Sequence, residues 1–442
     1  MTTLALRNAT LDDDLEAALT SARERYTLEN PKSAAQQETS KAYMPGGNTR
    51  SVLHYAPFPL AFVKGEGNYL WSADGARYTD FLGEYTAGLY GHSHPKIMEA
   101  IREALDGGLN FGGQGVKEAR LAELITERFP SIDLIRFTNS GTEANLMVMA
   151  AVKAITGRKK ILVFHGAYHG GVFTFAFGDA PLDAPHEFVL ARYNDLDGTQ
   201  RLIREHAGTL AAVVIEPMLG AGGSIPATQA FLSMLREETE NVGALLIFDE
   251  VMTSRLSPGG LQAVHGISPD FTSLGKYLAG GMSFGAFGGR RALMERFDPS
   301  RPDAFFHAGT FNNNVLSMAA GIAGLESVFT PEATVSLNRR GDALRDILNS
   351  AFKGHGVAMQ AVGYGSLMTI HATANKIDSP EDLSTSNQTV KELLFFDLIA
   401  DGFWIARRGM VSLSLTVTDD DCAQFAGAVE SFVERRIRLL PS

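Results

Sequence analysis

Between about residues 94 and 290 the chain repeats one pattern, a short apolar run followed by a stretch of helical length. The runs are LIRFT (134–138), ILVFH (161–165), LAAVVIEP (210–217) and ALLIFDE (244–250). A strand covered on both faces has no polar side, so it reads as a continuous apolar run, not as an alternation. Amphipathic segments between such strands predict an α/β architecture, a mostly parallel central sheet with helices on both faces. HPKIMEAIREALDGG (94–108) has helical spacing and stops on glycines.

The pattern changes after about residue 320. TPEATVSLNRRGDALRDILNSAF (330–352) predicts a long helix. GSLMTIHA, WIARRG and MVSLSL predict strands, and DDDCAQFAGAVESFVERRI predicts a closing helix. These elements suit a smaller α+β domain. Upstream, residues 12–42 predict one charged helix before the turn-rich YMPGGNTRSV (43–52), and NYLWS and RYTDF predict short strands. The expected division is 1–69 as an N-terminal segment packing with the small domain, 70–320 as the large domain, and 321–442 as the C-terminal small domain.

Composition narrows the partners. The 442 residues carry a formal net charge of −11, with acidic and basic residues interspersed. That balance gives no footing for nucleic acid or an anionic membrane. A single cysteine, Cys422, allows no internal disulfide. The start lacks a basic leader, and no apolar run reaches membrane-spanning length. A cytoplasmic location is expected.

Three places can carry chemistry. In TNSGTEANLMVMAAVKAITGRKK (138–160), a strand leads through a short turn into a helix. Ser140 is the expected N-cap, with Glu143 at capping-box spacing and Gly157 at the helix end. Free N–H groups at such a helix start attract anions, although a plain capped helix has the same sequence. In ALLIFDEVMTSR, Asp249 falls at a strand end, where open parallel sheets bind ligands. Alone, a strand-end acid is more often a solvated one. Glu216 in AAVVIEP repeats that placement. In DFTSLGKYLAGGMSFGAFGG (270–289), Lys276 stands among apolar and small residues. A lysine there acts as a nucleophile if its amine is held neutral, or it snorkels to solvent. An anion cradle, an acid and an amine in chain order match one cofactor, which has a phosphate, a ring nitrogen and an aldehyde: pyridoxal 5′-phosphate.

With these residues assembled, the chain resembles the class III (subgroup II) aminotransferases of pyridoxal-phosphate fold type I, the group that includes glutamate-1-semialdehyde aminomutase. YMPGGNTRSV, NSGTEA, GAYHGG, IEP, LLIFDEVMTSR, TSLGKYLAGG, FGAFGG and GTFNNN carry the resemblance across about residues 43–315. NTRSVLHYAPFPL, DEVMTSR and RRGMVSLSL look most like its β-phenylalanine aminotransferase branch. The resemblance implies that Lys276 bonds the cofactor aldehyde and that Asp249 pairs with the ring nitrogen. It implies that Ser140, Gly141 and Thr142 hold the phosphate. Tyr168 and Val251 would lie on opposite ring faces, and Glu216 near the ring hydroxyl. Thr310 would reach the phosphate of a neighbouring subunit in a homodimer with shared sites. Arg50 and Arg408 would hold substrate carboxylates, with Arg407 an open alternative to Arg408.

The activity so implied is ping-pong transfer of an amino group from a β-amino acid or related amine to a 2-oxo acid such as 2-oxoglutarate or pyruvate. The alternatives are an intramolecular glutamate-1-semialdehyde 2,1-aminomutase and, in another class, a non-catalytic cofactor-binding regulator. His92 and His94 lack a third close ligand, so no metal is expected. His169 is expected to support Tyr168. The glycines at 220–223 lack the spacing of a dinucleotide fingerprint.

Overall fold

The computed structural model describes residues 2–175 and 181–441, with side chains from residue 12 onward. Seven strands form the central sheet: β1 (Leu134–Thr138), β2 (Lys160–Phe164), β3 (Glu187–Ala191), β4 (Leu210–Ile215), β5 (Leu245–Asp249), β6 (Phe271–Gly275) and β7 (Gly285–Gly289). Their spatial order is β1-β7-β6-β5-β4-β2-β3. β5 is parallel to β4 and β6, and β2 is parallel to β3 and β4. β7 is antiparallel to both its neighbours, β6 and β1.

Two reversals leave β1 pointing the same way as β6. The carboxyl ends of β1, β4, β5 and β6 therefore share one edge, and Ser140, Glu216, Asp249 and Lys276 lie at or just beyond those ends. Every residue of β4 is buried, which accounts for its unbroken apolar run. The four expected strands form, with ends shifted slightly: ILVFH starts at Lys160, and LAAVVIEP stops at Ile215. β7, GAFGG, had no legible strand signal. Its glycines answer to close approach, since a Cβ on Gly288 would lie 2.8 Å from the Leu134 carbonyl oxygen.

Helix α1 (Gly141–Thr156) starts as expected. The Ser140 hydroxyl accepts the Glu143 N–H at 3.1 Å, and Gly157 ends the helix with φ of 67°. The reciprocal half of the capping box differs. The Glu143 carboxylate accepts the N–H of Asn139 at 2.9 Å, one residue ahead of the cap.

The C-terminal part holds an antiparallel sheet of β8 (Gln360–Tyr364), β9 (Leu367–His371) and β10 (Met410–Ser412). Helix α2 (Gln388–Ala400) and the helices Pro331–Gly354 and Asp419–Arg436 pack with it. WIARRG is not a strand throughout. Trp404 pairs with Asp80, and the following residues turn back at Gly409, whose N–H reaches the Ala406 carbonyl at 2.8 Å. The φ of 87° at Gly409 is what permits that turn.

The single N-terminal helix expected over 12–42 is two, Thr2–Glu29 and Pro31–Lys41. Pro31 disfavours helical backbone at the residue before it, and Asn30 sits at φ −126°, ψ 50°. The first of these helices buries Leu15, Leu19, Ala22 and Tyr26 in one core with Phe395 and Phe396 of α2. Arg23 pairs with Glu392 at 2.7 Å across that contact. Among the described residues, no helix is long and apolar enough to cross a membrane.

Candidate active site

Asp249 ends β5 with only 3% of its surface exposed, so it is not a solvated strand-end acid. Its Oδ2 accepts from Asn145 of α1 at 2.8 Å and bonds His169 Nδ1 at 2.7 Å. Its Oδ1 accepts one N–H, that of Val251 at 3.1 Å, which leaves that oxygen with acceptor capacity. Asn145 also donates to the His169 carbonyl at 2.9 Å. His169 was expected to support Tyr168, but its ring instead orients the acid. Asn145 had no reading at all; its only sequence signal was its place one turn into the helix after NSGT.

Lys276 follows β6 in a turn with φ of 55°, an uncommon angle for a residue with a Cβ. Its Nζ donates to the Tyr85 carbonyl at 2.6 Å. Desolvation first, then the positive charge of Arg408, draws its pKa down to about 8, while Asp249 and Glu216 oppose that shift and Arg50 adds to it. Four charges far apart in sequence thus act on this one amine in space.

Glu216 is buried and takes two backbone donors, Tyr168 N–H at 2.9 Å and Gly220 N–H at 3.0 Å. Burial raises its pKa to about 7, against the lowering influence of His169. Of the glycines at 220–223, Gly220 approaches this carboxylate, and a Cβ there would lie 3.3 Å from Glu216 Oε2. Glu250, next to Asp249, has a different task. It is buried and accepts from the Leu261 and Gln262 N–H groups at 2.8 and 2.9 Å, which fixes the segment after β5.

Tyr85 is a second residue that sequence reasoning missed. Glu84, Tyr85 and Thr86 all have positive φ, at 47°, 52° and 80°. Such backbone is costly without glycine and is held here by its surroundings. The ring of Tyr85 has the Arg50 guanidinium 5.6 Å from its centroid and that of Arg408 at 5.3 Å. Arg50 also pairs with Glu84. Arg408 is half-buried, whereas Arg407 is exposed and turns to Glu392 at 3.7 Å. The signal for Tyr85 was slight, an aromatic residue in GEYTAG, bracketed by glycines.

Whether these residues suit pyridoxal phosphate can be tested on the shape of the site. The N–H groups of Gly141 and Thr142 open α1 ahead of its first intrahelical donor, where they suit a phosphate. Val251 packs against that turn so closely that a Cβ on Gly141 would lie 2.8 Å from its Cγ2. Gly275 meets the same side chain, at 3.3 Å from a Cβ to Val251 Cγ1. Tyr168 leaves 48% of its surface exposed, an aromatic face available for stacking. Together with the open oxygen of Asp249 and the low-pKa amine of Lys276, the residues fit the group.

The remaining expected residues lie apart. Thr310 is exposed in a loop with Phe306 and Phe311, which are 88% and 55% exposed. That loop ties back to the turn between β1 and α1, where Asn139 donates to Asn312 at 3.1 Å. His92 bonds Asp80 at 3.0 Å, and His94 precedes the helix Pro95–Asp106. A cavity of about 790 Å³ opens beside Tyr168 and Arg408, between the sheet edge and the C-terminal part. Lys276 and Asp249 are not in its walls, so the cavity adjoins these two residues without enclosing them.

Residues 52–433 match the family model described as aminotransferase class-III. Over 427 residues the chain is 52% identical to a beta-phenylalanine transaminase of Variovorax paradoxus, covering 97% of this chain and 98% of that protein. The crystal structure of a beta-phenylalanine aminotransferase from Variovorax paradoxus superposes with a TM-score of 0.95 at 51% identity, over 97% of this chain and 99% of that one. A solved transaminase with pyridoxal phosphate bound superposes with a TM-score of 0.85 at 32% identity, over 92% and 98%. A likeness of this extent, to proteins whose cofactor these residues fit, makes the chain a member of the class-III aminotransferases and its reaction a pyridoxal-phosphate-dependent transamination.

Proposed function

We propose that the chain transfers the amino group of a β-amino acid of the β-phenylalanine type, or a related amine, to a 2-oxo acid such as 2-oxoglutarate or pyruvate. One observation carries this reading: a single aromatic ring, Tyr85, is flanked by two guanidinium groups, those of Arg50 and Arg408. A planar fork suits a carboxylate. Two of them at one site suit two substrates bound in turn, a carboxylate-bearing donor on Arg50 and an acceptor on Arg408. The exposed position of Arg407 supports Arg408 in that role. An intramolecular aminomutase would have no need of an acceptor clamp, and a non-catalytic regulator would have no need of a lysine held near neutrality.

Bound pyridoxal phosphate supplies an aldehyde for the amine and a ring that takes up the electron pair of a broken C–H bond. On this reading Lys276 holds the cofactor until a donor amine replaces it. Its Nζ, when free, would act as the base that takes up the proton of the donor's amine-bearing carbon and would then give that proton back. Asp249, steadied by His169 and Asn145, favours the protonated ring nitrogen. Ser140, Gly141 and Thr142 would hold the phosphate, Tyr168 and Val251 would cover the two ring faces, and Glu216 would face the ring hydroxyl. Returning the amino group to a 2-oxo acid runs these roles in reverse, which gives ping-pong kinetics.

We also read the active unit as a cytoplasmic homodimer in which Thr310 serves the neighbouring site. The exposed Phe306 and Phe311 beside Thr310 support a covering surface, and the lone Cys422 supports a reducing compartment. The division into 70–320 and 321–442, with 1–69 packed on the latter, belongs to the same reading.

Incubation with β-phenylalanine and either 2-oxoglutarate or pyruvate tests the reaction. Consumption of the acceptor with formation of glutamate or alanine is expected. Conversion of a glutamate-1-semialdehyde without any acceptor would replace this reading with the aminomutase. Borohydride treatment should fix the cofactor mass on the peptide containing Lys276, and a Lys276→Ala variant should lose turnover.

A further inference from the structure

DEVMTSR, the stretch after β5, ends on a cation that the site described above leaves unused. Arg255 is fully buried, and its hydrogen-bond partners are neutral oxygens. Its Nη1 donates to the Ser412 hydroxyl at 3.1 Å and to the Thr86 carbonyl at 3.4 Å, and its Nη2 donates to the Leu413 carbonyl. Desolvation draws its pKa down to about 10, so it stays charged near neutral pH. A buried charge is tolerated only with its hydrogen bonds made, so this guanidinium fixes where those oxygens stand.

One of those oxygens belongs to the strained run Glu84–Tyr85–Thr86, whose three residues all have positive φ. The entry of the run is held by Asp80. Its Oδ1 accepts the N–H groups of Leu82 and Gly83 at 2.8 and 3.0 Å, and its Oδ2 bonds His92 at 3.0 Å. The exit is held by Arg255 at the Thr86 carbonyl. The carbonyl just before it, that of Tyr85, accepts the Nζ of Lys276 at 2.6 Å. Arg255 is itself anchored to the end of β5. Its carbonyl accepts from Asn338 at 3.0 Å, the Ser254 N–H reaches the Glu250 carbonyl at 3.1 Å, and Thr253 donates to the Glu250 carboxylate at 2.9 Å.

Positive φ at three residues with side chains persists only while the surroundings enforce it. We propose that Arg255 is a positioning residue for the reaction: it holds the Thr86 carbonyl to the segment after β5 and thereby aims the adjoining Tyr85 carbonyl at the Lys276 amine. This rests on the reading of Lys276 as the reacting amine. Without the guanidinium the run relaxes, the amine loses its acceptor, and water reaches it. The planar fork suits the task because it grips the Thr86 carbonyl and the 412–413 segment at once.

The test compares Arg255→Met with Ile203→Ala, a change in a fully buried residue of the helix Leu196–Glu205, both at a temperature where each variant is folded. The first measurement is reductive methylation of Lys276 in the apoprotein with formaldehyde and cyanoborohydride, read by peptide mass against pH. The midpoint should lie near 8 in the unaltered protein and in Ile203→Ala. In Arg255→Met it should rise toward the ordinary lysine value of about 10.4. The second is single turnover of holoenzyme with β-phenylalanine. Arg255→Met should slow the rate about 10- to 100-fold, the scale of a misplaced reacting group. The half-saturating concentration should stay within about 3-fold. Arg255→Lys should restore part of the rate. An unmoved midpoint, or a loss confined to half-saturation, would overturn the proposal. Lys276→Ala separates the two readings. If it keeps native turnover, the Lys276 reading fails. If it loses turnover while Arg255→Met matches Ile203→Ala in both measurements, only the Arg255 role fails. Should Arg255→Met not fold, Arg255→Gln carries the same comparison.

Discussion

At the scale of single residues, the site is set by what each charge is denied. Lys276 is denied solvent and is faced by Arg408, so its pKa falls to about 8. Trapping of pyridoxal phosphate on the apoprotein by borohydride should therefore rise with pH to a midpoint near 8, since only the neutral amine adds to an aldehyde. A midpoint near the ordinary lysine value of about 10.4 would contradict the desolvation argument. Asp249 is denied freedom: Asn145 and His169 hold one oxygen and leave the other open. Asn145→Ala should weaken cofactor retention about 10-fold, the scale of losing one hydrogen bond to a charged group, as measured by cofactor release during dilution. Lys276 and Asp249 were legible in the sequence because each stands at a strand end. Tyr85 and Asn145 were not, because a positive-φ loop and a mid-helix amide have no distinctive spelling.

At the scale of elements, the turn between β1 and α1 is tightly packed. Val251, arriving from the end of β5, fills the space beside Gly141 and Gly275. Gly141→Ala should destabilise the protein by about 1–3 kcal/mol through overpacking, and it should weaken cofactor binding as the turn shifts. Val251→Ala in that background should recover part of both losses, read by denaturant titration and by cofactor absorbance. If the double variant is no better than Gly141→Ala alone, the clash is not the cause. The strands β2, β4 and β5 could be read from sequence because burial on both faces makes them continuously apolar. β7 could not, because its Gly-rich sequence is fitted to its neighbours and not to any intrinsic strand preference. The proline at 31 was legible as a residue, yet only the backbone reveals that it divides one helix from the next.

At the scale of the whole molecule, Arg255 links segments that are distant in the chain. It is fully buried and bonds Ser412 at 3.1 Å together with the Leu413 carbonyl, and its own carbonyl accepts from Asn338 at 3.0 Å. Arg255→Met should cost roughly 2–3 kcal/mol of stability, because acceptors on the 412–413 segment lose a charged donor. Thermal or denaturant unfolding measures this, and an unchanged midpoint would show the link to be dispensable. The proposed dimer makes a separate prediction. A mixed dimer with Thr310→Ala in one subunit and Lys276→Ala in the other should keep one site with native cofactor affinity, because the intact lysine then meets the neighbour's intact threonine. Weakened affinity at that surviving site would mean that Thr310 serves its own subunit.

From sequence alone came the mostly parallel sheet, the order of its main strands along the chain, the capped helix start, and the acid and amine at strand ends. These are local matters, fixed by burial period, capping chemistry and the conformational range of glycine. The tertiary fold decided which oxygen of Asp249 stays open and which of two adjacent arginines turns inward. Those outcomes depend on distances between residues far apart in the chain, and such distances exist only once the sheet edge and the C-terminal part have closed around the same space.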